Sequence, residues 1–140
     1  MMVLACDTST AAMHLALCRF EEGTLTWFET LSLLSGNRHS ELLMDKILAL
    51  CADAGIRVKE IDLLVTGAGP GSFTGLRISM ATLKGISLAA SIPLVSVPSL
   101  DVWYHSVEQV EQPVLAVIDA KKQRFYTALH QRGAPPRTRR

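Results

Sequence analysis

The sequence lacks the features that mark several large classes of protein. Its three cysteines, Cys6, Cys18 and Cys51, form no C-x-x-C pair, which argues against a zinc knuckle and against a disulfide scaffold. No stretch approaches the ~18 consecutive apolar residues that a membrane-spanning helix requires. The N-terminus also lacks the charged segment that precedes the apolar core of a signal peptide. We therefore expect a cytoplasmic protein with buried, reduced thiols and no membrane association.

The sequence also lacks a marked excess of positive or negative charge. The 14 lysines and arginines almost balance the 13 acidic residues, and four of the arginines stand within Gln131–Arg140. Without that basic end the chain is mildly acidic, so it lacks the basic surface that is typical of a nucleic-acid-binding domain. Hydrophobic residues make up 49% of the 140 positions, which is enough for one folded domain or two small lobes.

Hydrophobic patterning predicts an α/β fold that opens with an antiparallel meander. Three short apolar strands with tight turns come first, and helices then alternate with strands. The predicted strands are Met2–Asp7, Met13–Phe20, Thr24–Leu33, Ile61–Thr66, Pro93–Val97, Val114–Asp119 and Phe125–His130. The predicted helices are His39–Ala54, Thr74–Ala90 and Ser99–Val107, with Asn37 or Ser40 capping the first and Gly55 at its end.

A polar connector at residues 108–113 divides the chain. We expect an N-terminal lobe at residues 1–108, the start of a second lobe at 109–132 and a disordered basic tail at 133–140. The tail contains the adjacent Pro135 and Pro136 and no large apolar residue. A strand ending in aspartate, a turn and a second strand occur in both lobes, which indicates a faint internal duplication.

A glycine-rich turn between a predicted strand and a predicted helix is the strongest local signal. Gly67, Gly69 and Gly71 permit positive φ and close backbone approach, and such turns can hold phosphate at a helix N-terminus. The dinucleotide motif fails, because Ser72 or Thr74 stands where its third glycine is required, and no lysine completes a P-loop. The turn therefore either packs helix against strand or forms a degenerate anion site.

Asp7-Thr8-Ser9-Thr10 is the second signal. An aspartate at a strand end, followed by hydroxyl residues, can orient a magnesium ion and contact phosphate. The same residues are equally typical of an Asx turn that closes a hairpin. Both interpretations stay open at the level of sequence.

The spacing of the histidines and of the residues around Ser72 does not match the zinc-protease or nucleophile-elbow motifs. His39 has no second histidine four residues on, so the zinc-protease pattern is absent, and His14, His105 and His130 are scattered. The residues around Ser72 do not form a G-x-S-x-G nucleophile elbow. We predict no catalytic residue and no metal ligand.

The helix Thr74–Ala90 is rich in small residues and has a wide apolar arc. Such a helix is suited to one core face and one partner face, although burial between the sheet and a neighbouring helix explains it equally well. With the helix His39–Ala54 it predicts an intermolecular helix bundle. The predicted interface residues are Leu43, Ile47, Leu76, Met80, Leu83 and Ser87.

A longer string carries a resemblance to a known family. Residues 69–78 read Gly-Pro-Gly-Ser-Phe-Thr-Gly-Leu-Arg-Ile, and they accompany Asp7-Thr8-Ser9-Thr10, His39-Ser40-Glu41-Leu42-Leu43 and Asp119-Ala120-Lys121. Together these residues resemble the bacterial TsaB family of tRNA threonylcarbamoyladenosine biosynthesis proteins, also called YeaZ or glycoprotease-like. The resemblance covers about residues 1–132.

The resemblance implies an actin-like ATPase, or ribonuclease H-like, α/β fold with a mixed sheet, flanking helices and two duplicated lobes. It also implies a non-catalytic scaffold that pairs with a TsaD-like catalytic subunit, or with itself when alone, through helices of the first lobe. A TsaE-like ATPase completes the complex, which transfers threonylcarbamoyl to adenosine in tRNA, and tRNA is contacted only through that complex. The nucleotide site is then degenerate and binds no cofactor; its candidate residues are Asp7, Thr8, Ser9, Gly69, Gly71 and Asp119.

The sequence departs from the family pattern at three places. Ser79 stands where the family usually has glycine. The turn at residues 119–124 reads Asp-Ala-Lys-Lys-Gln-Arg, where the family usually has Asp-Ala-Arg followed shortly by Gly-Glu. The family's chains also continue further than this one. We therefore expect an incomplete second lobe. The alternative is an actin-like phosphotransferase in which Asp7 and Asp119 face a phosphate and a metal, while residues 67–71 hold a second phosphate.

Overall fold

The computed structural model describes residues 1–36, 38–107, 109–120 and 123–139. Its strands are β1 (Met2–Asp7), β2 (Ala12–Glu21), β3 (Thr24–Leu34), β4 (Leu63–Gly67), β5 (Leu94–Val97), β6 (Val114–Asp119), β7 (Phe125–Gln131) and β8 (Ala134–Arg139). Its helices are α1 (His39–Asp53), α2 (Phe73–Ala90) and α3 (Ser99–His105), with a short 3₁₀ turn at Val58–Glu60. The predicted strands and helices are confirmed to within about two residues at each end, which is the usual uncertainty of such boundaries.

The first sheet is mixed, as predicted. Its strand order is β3-β2-β1-β4-β5, with antiparallel pairing around β2 and parallel pairing of β1, β4 and β5. Glu22 and Gly23 have φ values of 51° and 81° and form the two-residue turn between β2 and β3. Two successive residues with positive φ suit the right-handed twist of an antiparallel hairpin. The three-strand meander that opens the chain is therefore confirmed.

The main core lies between this sheet and the two long helices. Leu4, Leu15 and Leu64 from the strands are at most 2% exposed, and they belong to one buried cluster with residues of α1 and α2. The alternation of β1 and β2 directs one set of side chains toward the helices. Both helices thus use their most apolar face within their own chain.

Different residues cap the ends of the two long helices. Gly55 has a φ of 69° just beyond α1, as expected for a residue after a helix C-terminus. Arg38 occupies the N-cap position of α1, so Ser40 is not the cap, and Asn37 lies outside the described residues. In α2, the N-cap Ser72 accepts a hydrogen bond from the Gly75 backbone N–H at 3.2 Å.

The second sheet repeats the opening meander with the order β6-β7-β8. The prediction of a disordered tail is wrong for Ala134–Arg139, because these residues pair antiparallel with β7. The prolines argued against a central strand, but β8 lies at an edge, where a missing N–H is tolerated. Helix α3 packs on β6 and β7. The division into lobes at 1–108 and 109–132 remains a prediction.

Candidate functional site

The candidate site lies where two loops meet at the carboxyl ends of β1 and β4. Residues 8–11 join β1 to β2, and residues 68–72 join β4 to α2. Because β1 and β4 are parallel neighbours, both loops leave the sheet at the same edge. This pairing brings the two strongest sequence signals together.

Asp7 forms the Asx turn that was one of its two interpretations. Its Oδ1 accepts a hydrogen bond of 2.6 Å from the Ser9 backbone N–H, and its Oδ2 accepts one of 3.4 Å from the Ser99 hydroxyl. The carboxylate therefore shapes its own loop and connects that loop to the start of α3.

The loop after β1 is fastened to the start of α2 through buried polar groups. The Thr8 hydroxyl donates a hydrogen bond of 2.7 Å to the Gly75 carbonyl oxygen, and the Thr8 side chain is fully buried. The Ser72 backbone N–H donates to the Ser9 carbonyl oxygen at 2.7 Å. A helix N-terminus can offer such an N–H to an anion, but here the chain itself supplies the acceptor.

The glycines of the motif allow this close contact. A Cβ added to Gly71 would lie 2.6 Å from the Ser9 Cβ, and a Cβ on Gly75 would overlap the Thr8 carbonyl oxygen. A Cβ on Gly67 would overlap the Asp7 carboxylate. Gly69 has a φ of 83°, which favours glycine for a different reason. The geometry supports the interpretation that the turn packs one loop against the other.

The structure gathers most of the predicted phosphate-site residues but not all. Asp7, Thr8, Ser9 and Gly71 lie in the loop contact, and the Gly69 carbonyl oxygen accepts from the Ser99 backbone N–H at 2.8 Å. Asp119 lies in the second sheet, at the end of β6, where it pairs with Phe125. That this set is a degenerate phosphate site remains a prediction.

His39 supports the same loop, a role that sequence reasoning missed. It is 6% exposed, with Nε2 3.0 Å from the Thr10 carbonyl oxygen and Nδ1 2.8 Å from the Ser35 hydroxyl oxygen. Because a carbonyl oxygen only accepts, Nε2 carries a proton and donates to Thr10, while the contact between Nδ1 and the Ser35 hydroxyl fixes the other side of the ring. The available signal was a histidine at the first position of an amphipathic helix.

A cavity of about 350 Å³ borders Asp7 on the sheet side of the loop. Its walls are mostly small or apolar, with Ala5, Ala16 and Val65 among them, and His14 in its lining bonds to Ser32 at 2.9 Å. The described residues that line it include no lysine or arginine. Phosphate in this cavity would therefore meet no lysine or arginine side chain among the described residues.

The three cysteine thiols have low reactivity at neutral pH. Burial raises the pKa of Cys6 to about 12, with a smaller contribution from the neighbouring Asp7 carboxylate. Burial also raises the pKa of Cys18 and of Cys51. Since the thiolate is the reactive form, these thiols are poor nucleophiles and poor metal ligands at neutral pH.

Among the described residues, no group of three or more histidine, cysteine or acidic side chains is arranged to hold a metal ion. None of the helices in the described part of the chain has the length and apolar character to cross a membrane.

The predicted helix interface needs correction. Leu43, Ile47 and Leu83 are at most 1% exposed and lie in the core of their own chain, so they cannot meet a partner. Leu76 and Met80 are half-buried, and the half-buried Ser87 donates a hydrogen bond of 2.6 Å to the Ile92 carbonyl oxygen. The most apolar arc of each helix faces the sheet because that is where the largest area leaves water.

A different set of side chains faces outward from the two helices. Met44 and Leu48 on α1 are 40% and 46% exposed, and Phe73 and Leu88 on α2 are 74% and 75% exposed. We call these four residues the outer helix face. The Arg77 guanidinium lies 5.4 Å from the centroid of the Phe73 ring, at cation–π distance. A shallow cavity of about 360 Å³ between the two helices is lined by Ser40 of α1 and by Thr74, Arg77, Ile78, Ala81 and Thr82 of α2.

Comparison with known proteins gives a consistent result. Residues 33–134 match the family model described as TsaD, tRNA N6-adenosine threonylcarbamoyltransferase. The tRNA threonylcarbamoyladenosine biosynthesis protein TsaB of Escherichia coli is 33% identical over 135 residues, covering 94% of this chain and 56% of that protein. TsaB of Haemophilus influenzae is 30% identical over 126 residues, covering 89% of this chain and 51% of that protein.

The solved structure of YeaZ from Pseudomonas aeruginosa superposes with a TM-score of 0.80 at 28% identity, covering 99% of this chain and 64% of that one. The α/β, actin-like and ribonuclease H-like fold is therefore confirmed. The chain spans about half the length of the curated TsaB proteins that it matches. Sequence, motif and fold agree that the chain belongs to the family of the threonylcarbamoyltransferase model and, within it, to the TsaB proteins, also called YeaZ.

Proposed function

We propose that this chain is a non-catalytic partner subunit in the installation of threonylcarbamoyl on adenosine in tRNA. The observation that carries the proposal is the similarity, over most of the chain, to proteins named for tRNA threonylcarbamoyladenosine biosynthesis. Its partner would be a TsaD-like catalytic subunit, and the match to the TsaD family model fits a partner of related fold. A TsaE-like ATPase and tRNA join through the complex, which acts in the cytoplasm.

The geometry of the two loops favours the role of a non-catalytic partner subunit over that of a catalytic subunit. The Ser72 N–H is already bonded to Ser9, and side chains at Gly71 and Gly75 would collide with the loop after β1. A nucleotide phosphate at this point would have to separate the two loops. The proposal therefore includes no nucleotide, metal or other cofactor in the chain itself.

The outer helix face is the docking surface in this proposal. Its four apolar side chains are exposed on neighbouring helices of one layer, and exposed apolar groups of this kind favour association because burial removes them from water. In the absence of the catalytic subunit, the same surface would pair two copies of this chain.

An actin-like phosphotransferase is not favoured. That function needs Asp7 to face a phosphate and a metal, whereas its two carboxylate oxygens accept hydrogen bonds from Ser9 and Ser99. Calorimetric titration with magnesium and ATP separates the two functions. We expect no binding at micromolar nucleotide, and sub-micromolar binding would support the phosphotransferase and contradict the scaffold role.

Co-purification with a TsaD-like subunit tests the partner role. We expect the wild-type chain to form a stable complex and Leu88→Glu to lose it, because an unpaired charge at an interface is costly to desolvate. Phe28→Glu is the matched control, since Phe28 is 61% exposed on β3 and pairs with Cys18 on the sheet face away from the helices. Failure of the wild type to bind would reject the partner role; an equal effect of both variants would reject only the docking surface.

A further inference from the structure

A buried histidine joins α3 to the second sheet. His130 in β7 is 4% exposed, and its Nε2 has no hydrogen-bond partner among the described residues. Its ring stacks on the Tyr104 ring of α3, with centroids 4.5 Å apart and planes at 6°. The Oδ1 of Asp101, one turn earlier on α3, lies 3.7 Å from the His130 Nε2. This distance is too long for a hydrogen bond but short enough for a strong charge interaction.

The neutral and protonated rings have different consequences here. In either protonation state Nε2 lies too far from Asp101 for a hydrogen bond, and a neutral ring offers the carboxylate no opposite charge across the gap. A protonated ring carries a donor on each nitrogen and a positive charge, so it attracts the Asp101 carboxylate across the gap. Its stacking on Tyr104 also becomes a cation–π contact. Protonation therefore strengthens both contacts that His130 makes with α3.

We propose that His130 is a proton-dependent clasp that fastens the second sheet to α3. The proton comes from water and stays on the imidazole, and Asp101 is the counter-charge. From α3 the ring faces Asp101 and Tyr104, and the His105 ring follows at 5.7 Å from that of Tyr104. From β6 the register partner is the uncharged Val114. On β8, Arg137 is the register partner of the adjacent Leu129, and Ala134 is that of Gln131. The inference is independent of the proposed function, since it concerns a junction within the chain.

Hydrogen exchange in the full chain tests the clasp at two pH values that bracket ordinary histidine titration, about 5.5 and about 8. We expect Asp101→Asn to speed exchange in α3 by about threefold to tenfold over wild type at the lower pH, and by much less at the higher pH. Asp45→Asn removes the same charge from an exposed position of α1 and serves as the control. An Asp101→Asn effect of equal size at both pH values would overturn the proposal.

Two further measurements isolate His130. In a His130→Gln background the pH-dependent effect of Asp101→Asn should disappear, because no charge remains for Asp101 to attract. The imidazole NMR shifts of the wild-type chain report the protonation of His130 directly and do not depend on the stability of any variant. Imidazole shifts that stay unchanged between about pH 8 and about pH 5.5 would overturn the clasp.

Discussion

The Thr8 hydroxyl donates a hydrogen bond to the carbonyl oxygen of Gly75, and the Thr8 carbonyl oxygen occupies the place where a Cβ of Gly75 would lie. This reciprocal contact joins the loop after β1 to the first turn of α2. The most distinctive string of the sequence therefore acts first as a packing element. A role of the same string as an anion site remains a prediction.

Gly75→Ala should separate the two loops. The new methyl group would meet backbone atoms of Thr8, which cannot rotate away as a side chain would. We expect a loss of about 2–4 kcal/mol in the free energy of unfolding, measured by urea denaturation.

Gly85→Ala is the control for this change, because it lies in the same helix and no described atom stands within 4 Å of its added Cβ. Alanine there should stabilise the chain by about 0.5–1 kcal/mol through helix propensity. Equal destabilisation by both changes would contradict the packing role of Gly75.

His39→Ala should weaken the same loop from the other side. The change removes the hydrogen bonds to Thr10 and Ser35 and leaves their partly buried polar groups without these partners. We expect a loss of about 1–3 kcal/mol in the free energy of unfolding. His14→Ala, which removes the exposed bond to Ser32, should change it by no more than about 0.5 kcal/mol. A larger effect at His14 than at His39 would refute this role.

Leu83→Ala and Leu88→Ala should differ strongly in their effect on the free energy of unfolding, although both residues lie on α2. Leu83 is fully buried, so its truncation leaves a cavity and should cost about 2–5 kcal/mol in the unfolding free energy. Leu88 is 75% exposed, and its truncation should cost no more than about 0.5 kcal/mol in the isolated chain. If Leu88→Ala proves the more damaging to folding, the assignment of the inner and outer faces of α2 is wrong.

Cys6 should resist alkylation in the native chain. With a pKa of about 12, almost none of it is thiolate near pH 8, so iodoacetamide should label it at least about 100-fold more slowly than after unfolding in urea. The half-buried Cys18 should react before Cys6. Because the folded-state pKa lies above the unfolded one, stability should fall as pH rises beyond about 8.5. Rapid native labelling of Cys6, read by mass spectrometry, would count against its burial.

The sequence predicted most of the elements because their signals are local. The apolar run of β1, the rough alternation in β3, the helical spacing in α1 and Gly55 at its end are each readable within one short window. The Asx turn at Asp7 was also readable, but only as one of two interpretations, since the same residues suit a metal and a phosphate. The strand β8 was missed because its prolines argue against a strand unless its edge position is known.

The sequence by itself determined the α/β class, the order of the elements and the family of this chain, because periodicity, turn residues and a long specific string need no knowledge of distant contacts. Only the tertiary structure decided which apolar side chains face the core. Leu83 and Leu88 look alike in a helical pattern until a sheet is placed beside one of them. The tertiary structure also decided which distant residues come into contact. Gly71 and Gly75 pack against the loop after β1, His39 forms a hydrogen bond with Thr10, and His130 lies close to Asp101. Each of these contacts joins residues far apart along the chain, so folding had to bring them together before their chemistry could be read.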